Sequence, residues 1–261
     1  MRDEEVPERQ GVWLYAVTRD PAPEVLGELT GVSAETPRLV EAAGLAAVVG
    51  DVPLSSFGEA ALRRNFEDLD WLAPVARAHD SVIVALIDRG PAIPIRLATV
   101  YHGDDRVRHL LEHRAVEFTR ALDQVTGRTE WGVKIFLAPA PDPVPAAGGP
   151  SPRGAGAAYL ARRRATLNSR EHQERRAVEQ ANRAHAALAS LAVDTRTHPP
   201  QSRALAGEDA RMILNGAYLV DNEHTLRFAE ATAACDQDND AILVRLTGPW
   251  PPYSFSVLEE A

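Results

Sequence analysis

Three prolines and three aromatics crowd into Gly248-Pro249-Trp250-Pro251-Pro252-Tyr253-Ser254-Phe255, directly after the apolar run from Ala241 to Thr247. Prolines bring no backbone donors, and Pro249 stops ladder pairing. A strand ending here must leave its sheet at Gly248 and continue extended, with Trp250, Tyr253 and Phe255 projecting from it. Such rings can fold back and plug the chain's own core, or stand outward as a docking strip for a partner. The stiffness of Pro251 and Pro252 favours the plug, because little entropy is lost in laying the strip along a domain.

The chain has 261 residues, 45% of them hydrophobic, enough for one large or two small cores. A formal net charge of -9 and a pI near 5.4 argue against general binding to a phosphate backbone, which requires a basic face to release counterions. No nucleic-acid partner is expected. Cys235 stands alone, which leaves no intramolecular disulfide framework and fits a reducing compartment. The first residues, Met1-Arg2-Asp3-Glu4-Glu5, are acidic without an apolar stretch, and no run of ~18 apolar residues occurs. These features predict a soluble cytoplasmic protein, neither secreted nor inserted in a lipid membrane.

Val12 to Val17 places apolar side chains on both faces and reads as a strand buried on both sides. Arg38 to Ala43 and Leu45 to Val52 read as a strand pair turning near Gly44. A helix capped by Ser55 or Ser56 carries Leu62, Phe66, Leu69, Ala73 and Ala76 on one stripe, with a kink or break expected at Pro74. Val82 to Ile87 is a continuous apolar run of strand length, and Ile93 to Tyr101 is a second extended segment. Asp104 or Asp105 opens another helix, with Val107, Leu111, Ala115, Phe118, Leu122 and Val125 on one face and Gly127 beyond its end. Trp131 to Leu137 closes the unit as a strand.

This order predicts an α+β domain over residues 1–137, a sheet-and-helix sandwich with helices on one face of a mostly antiparallel sheet. Residues 138–156, rich in proline and glycine, form a linker. Residues 157–261 form a second domain. It opens with a long polar helix to about Val193, laced by Glu/Arg pairs, in which Leu160, Leu167, Ala181 and Leu188 keep a heptad register that Glu174 interrupts. Arg211 to Val220 and Ala241 to Thr247 follow as strands around a helix from Glu223 to Ala234, with Leu226, Ala229 and Ala233 inward. With Arg203-Ala204-Leu205 as an edge strand, the set suits a ferredoxin-like fold ending in the aromatic tail.

No catalytic set emerges. His109 and His113 stand four apart on a helix, with His102 just before it, but Leu110 and Leu111 occupy the positions where a zinc-binding H-E-x-x-H helix needs its acid, so solvated histidines are expected. Asp236, Asp238 and Asp240 alternate like a calcium loop, yet Ala241 and Thr247 occupy the positions of its glycine and its bidentate acid. No metal and no cofactor is expected. The arginines around Arg162-Arg163-Arg164 are interleaved with Glu171, Glu174 and Glu179, a solvated face. Cys235 packs as a small hydrophobe. Arg96, between Ile95 and Leu97 in an apolar strand, must find a carboxylate such as Asp88 or Glu130, because burying it unpaired costs several kcal/mol. Arg96, Trp250, Tyr253 and Phe255 are thus the candidate binding residues.

Five segments in this order carry a family resemblance: Trp13-Leu14-Tyr15-Ala16-Val17, Ile93-Pro94-Ile95-Arg96-Leu97-Ala98-Thr99-Val100, Tyr159-Leu160, Leu214-Asn215-Gly216-Ala217-Tyr218-Leu219-Val220, and Gly248 to Phe255. Together they resemble the gas vesicle protein F/L family, over roughly residues 12 to 256. The resemblance implies a non-enzymatic accessory or minor structural protein of gas vesicle assembly, associated with the vesicle in the cytoplasm. It implies contact between the N-terminal domain and the hydrophobic major shell protein, and partners among other gas vesicle accessory proteins. The alternative from another class is a small-ligand or enzymatic α+β protein using Arg96 and the nearby histidines.

Overall fold

A computed structural model of the protein describes residues 8–21, 23–139, 155–200, 210–237 and 239–256, and for 155–162 the backbone only. The fold is mixed helix and sheet, divided into two units. Unit 1 draws on Met1–Glu130 and Trp250–Ala261, and unit 2 on Trp131–Pro249. The N-terminal unit therefore ends seven residues earlier than the sequence predicts and takes back the tail, which sequence order alone assigns to the second domain. Most of the 138–156 linker and the Arg203–Leu205 edge strand lie outside the described residues.

Unit 1 is built on β1 (Gln10–Thr18), every residue of which from Gly11 onward is buried. Both faces of the sheet are therefore covered, rather than one. β2 (Arg38–Ala42) and β3 (Leu45–Pro53) form a hairpin turning through Ala43 and Gly44, whose φ angles of 52° and 73° are those of the tight turn that fits twisted strands. β1 pairs antiparallel with β3, β4 (Ala92–Pro94) and β5 (Val100–Tyr101). The β1–β3 register slips between Leu14 and Ala16, so Tyr15 is an extra residue, a bulge that re-aims its side chain.

Around this sheet lie α1 (Pro23–Leu26), α2 (Leu54–Phe57), α3 (Glu59–Asn65), α4 (Leu69–Ile87), α5 (Asp104–His113) and α6 (Ala115–Val125). Two predicted helices are each broken. The first is interrupted before Asp68, whose side chain accepts from the amides of Asp70 and Trp71 and caps α4, while Pro74 is absorbed inside that helix. The restart turns Phe66 and Leu69, assigned to the buried stripe, outward to 40% and 74% exposure. The second is interrupted at Arg114, though Val107, Leu111, Phe118 and Leu122 are buried as its periodicity requires.

Val82–Ile87, a strand by its apolar continuity, is instead the end of α4: His79, Val82, Ile83 and Leu86 are buried at helical spacing. The Ile93–Tyr101 segment is extended only at its ends. Arg38 joins the hairpin to α5 by bonding both Asp51 and Asp104, and its guanidinium holds the Asp51 carboxyl below the usual carboxylate range.

Unit 2 contains β6 (Arg128–Leu137, shared with the end of unit 1), α7 (Ala155–Ala189), β7 (Asp194–Thr197), β8 (Met212–Asp221), α8 (Thr225–Gln237) and β9 (Ile242–Trp250). The strands lie in the order β7-β8-β6-β9, and the elements follow one another as β-α-β-β-α-β. Trp131–Leu137 thus belongs to this second sheet and does not close the first. α7 buries Ala177, Ala181, Ala184 and Leu188 against Ile135, Tyr218, Val220 and Ile242. On α8 the inward residues are Phe228 and Thr232, whereas Leu226 is 79% exposed. No helix among the described residues is long and apolar enough to cross a membrane.

Candidate functional site

α4 is a helix with two occupied sides. Towards the sheet, His79 is buried between the rings of unit 1, its imidazole stacked on Tyr15 with centroids 5.5 Å apart and edge-on to Trp13 at 5.7 Å. Trp13 Nε1–H donates to His79 Nδ1 at 3.0 Å, which leaves Nε2 to carry the proton and donate to the Ile95 carbonyl, also at 3.0 Å. Burial holds the imidazole below its ordinary pKa, so the ring is neutral. Tyr15 Oη donates to Glu35 Oε1 at 2.5 Å and accepts from the Val32 amide at 2.8 Å. Gly31 and Gly50 make this approach possible: a Cβ on either would lie 1.9 Å from Glu35 Oε1.

At the next residue, Asp80 and the chain around Leu97 border a shallow cavity of about 330 Å³, lined also by Ala76, Arg77, His79 and Tyr253. Tyr253 comes from the tail. Pro251, Pro252 and Phe255 are buried, and residues 253–255 form a single 3₁₀ turn. Tyr253 Oη donates to Asp80 Oδ1 at 3.1 Å, and burial with the nearby carboxylate pushes the phenol pKa up. Ser254 donates twice to one carboxylate: its amide to Glu130 Oε2 at 2.8 Å and its hydroxyl to Oε1 at 2.6 Å. Glu130 is only 6% exposed, and desolvation raises its pKa although both hydrogen bonds oppose the rise.

Of the four candidate binding residues, three lie on this tail. Phe255 is buried and Tyr253 half-buried, whereas Trp250 is 49% exposed, so the strip is part plug and part surface. Arg96 is not brought to them by any bond, nor buried. It sits in the turn between β4 and β5, exposed, with no ion pair among the described residues, because the chain loops away from β1 between Ile95 and Thr99, whose backbones still bond Tyr15 and Leu14. Glu130, one of its expected partners, is taken by Ser254. That pairing, and the Asp80 contact, carry no local sequence signal: the partners are 124 and 173 residues apart.

The other constellations are structural or solvated. His109 and His113 are exposed, stacked 3.6 Å apart, with His113 Nδ1 on the His109 carbonyl. Asp236 accepts from the Val244 amide at 2.6 Å, and Asp240 binds Arg176 and Gln180. Asp238 lies outside the described residues. No group of three or more His, Cys, Asp or Glu side chains among the described residues is placed to hold a metal ion. Cys235 is partly buried against the unit 2 core.

Residues 11–257 match the model of the gas vesicle synthesis protein GvpL/GvpF family. The chain is 42% identical over 253 residues to gas vesicle protein L of Streptomyces sp. (strain CB03234), covering 95% of this chain and 93% of the relative. Gas vesicle protein F of the same strain is 24% identical over 260 residues, with 93% and 98% covered. Among solved structures, GvpF from Anabaena sp. PCC7120 superposes with a TM-score of 0.65 at 19% identity, covering 96% of this chain and 98% of that one. GvpF from Microcystis aeruginosa gives 0.63 at 20%, covering 95% and 99%. These structures share the fold.

Proposed function

The chain belongs to the gas vesicle synthesis protein GvpL/GvpF family, and from that membership we propose that it is a non-enzymatic accessory protein of gas vesicle assembly, binding the hydrophobic major shell protein through unit 1. Vesicle association in the cytoplasm and contact with other gas vesicle accessory proteins belong to the same reading. So does an L-type identity, favoured by the 42% match to the Streptomyces L protein against 24% for the F protein of that strain. The ferredoxin-like assignment of unit 2 is part of it too, supported by the β-α-β-β-α-β order.

The observation that carries the shell-protein contact is the restart before α4, which leaves Phe66 and Leu69, two large apolar side chains three residues apart, in solvent. A subunit destined for a water-excluding wall exposes apolar surface until it polymerises, and a soluble partner with a small apolar patch of its own can cover it. The chain's charge of -9 favours solubility in such a binder. The enzymatic or small-ligand alternative gains nothing from the geometry, since Arg96 and His109 and His113 are exposed and do not converge on a cavity.

Co-expression with the shell protein and recovery through a tag on this chain tests the proposal. The wild type recovers shell protein, and Phe66→Ser with Leu69→Ser recovers roughly tenfold less, as for a pair of interface anchors. No recovery by the wild type, or undiminished recovery by the folded double variant, contradicts it.

A further inference from the structure

The tail is bound to unit 1 as a peptide is bound to a receptor. Its 3₁₀ turn belongs to no sheet, and its own backbone bonds are local, Tyr253 N–H to the Pro251 carbonyl and Phe255 N–H to that of Pro252. Among the contacts that join it to the rest of unit 1 are one buried ring, two buried prolines that need no backbone donors, the Tyr253–Asp80 hydrogen bond and the paired hydrogen bonds of Ser254 to Glu130. An aromatic anchor, proline stiffness that lowers the ordering cost, and side-chain hydrogen bonds that fix the register are elements by which short peptide segments are recognised.

The receptor side has its own reason to stay occupied. The Glu130 carboxylate is buried, and among the described residues its hydrogen-bond donors come from Ser254. Withdrawing the tail strips a buried polar group of its partners, an outcome far more costly than exchanging one donor pair for an identical one. Replacement by the same segment from another chain restores every contact.

We infer that the surface formed by Glu130, Asp80 and the adjoining face of α4 is a recognition site for a Pro-Pro-Tyr-Ser-Phe segment, filled by the chain's own tail and equally able to accept the tail of a second copy. This site is independent of the shell-protein reading and stands or falls without it.

The probe is a fluorescent peptide with the sequence of residues 248–256, titrated against the full-length protein and followed by anisotropy. In the wild type the attached tail competes. Ser254→Ala in the protein weakens that competitor, so the peptide binds the variant roughly tenfold more tightly than the wild type, the effect of one charge-assisted hydrogen bond. The same substitution in the peptide weakens its binding by a similar factor, and Glu130→Ala in the protein removes discrimination between the two peptides. A Ser254→Ala protein whose circular dichroism shows it folded, yet which binds the wild-type peptide no better than wild type does or binds both peptides equally, overturns the inference, as does a folded Glu130→Ala protein that still discriminates between them. Should Ser254→Ala not fold, the wild type decides: a peptide with a photoreactive benzophenone in place of its phenylalanine labels the segments around 76–80 and 128–130 if the site exists. Labelling elsewhere, or none at millimolar peptide, overturns it.

Discussion

In unit 1 the space between β1 and α4 is filled by rings: Trp13 meets Phe57 edge-on with centroids 5.7 Å apart, Tyr15 stacks on His79, and hydrogen bonds pair Tyr15 with Glu35 and Trp13 with His79. In unit 2 the long α7 instead meets its sheet through Ala177, Ala181 and Ala184, and its polar contacts lie at the margins of that seam, His185 with Tyr218 at 2.7 Å and Gln180 Oε1 accepting from the Ala241 amide at 3.1 Å. The first core depends on a few large side chains whose polar atoms must all be paired. The second depends on close approach, which small side chains permit. Unit 1 should therefore be sensitive to deletion and to protons as well as to insertion beside its polar pairs, and unit 2 chiefly to insertion.

The largest expected effect is at Trp13. Trp13→Ala removes the hub of the ring cluster and an indole donor, and should destabilise unit 1 by ~3 to 5 kcal/mol in denaturant unfolding. An effect no larger than that of an exposed substitution would break the comparison. Next come insertions, one in each unit. Gly50→Ala drives a methyl into the Glu35 carboxylate, and Ala181→Leu wedges α7 off its sheet, each for ~1 to 3 kcal/mol. Hydrogen exchange should assign the first loss to β1 peptides and the second to β8 peptides.

A smaller effect follows from His79. Its folded pKa is depressed, so the unfolded chain binds more protons below the ordinary value of 6.5. The stability it contributes is present above pH 6.5 and lost as pH falls through the lowered value, with a slope of no more than ~1.4 kcal/mol per pH unit for a single proton. Glu130 acts in the opposite sense: its raised pKa contributes stability below the usual 4.5 that is lost as pH rises through the raised value. Unfolding of unit 1 measured from pH 4 to 8 should lose its acid-side slope in His79→Gln, once the change in overall stability is subtracted. At the bottom of the scale stands Leu226→Ser on α8, exposed despite its place in an apolar pattern, which should move unfolding by less than ~0.5 kcal/mol.

Much of this architecture is legible in the sequence. The buried strand β1, the hairpin at Ala43–Gly44, the long α7 and the strands β8 and β9 follow from periodicity and turn chemistry. Failures cluster where two periods fit the same residues. Val82–Ile87 is largely β-branched and wholly apolar, and only the burial of His79 and Val75 in the preceding turns reveals a helix. Leu226 and Phe228 compete to define the inward face of α8, and the larger ring wins. The candidate site divides in the same way. The aromatic tail announces itself by composition, and three of its residues are the ones named. Its destination does not, because Ser254 and Glu130 are joined only by the fold, and a lone buried glutamate in a strand looks no different from a solvated one until its partner is placed. Arg96 misleads for the converse reason: apolar neighbours imply a strand, but Pro94 ends it and the arginine turns to solvent.

The central claim is that the end of the chain belongs to unit 1, anchored by Phe255 and the Ser254–Glu130 bonds. Hydrogen exchange followed by mass spectrometry on wild type and Phe255→Ala tests it directly. The account predicts that β1 and α4 peptides lose protection by ~3 to 5 kcal/mol in opening free energy, while peptides covering Tyr218, Leu219 and Val220 in β8 keep theirs. Loss of protection in β8 with β1 and α4 unchanged would contradict it.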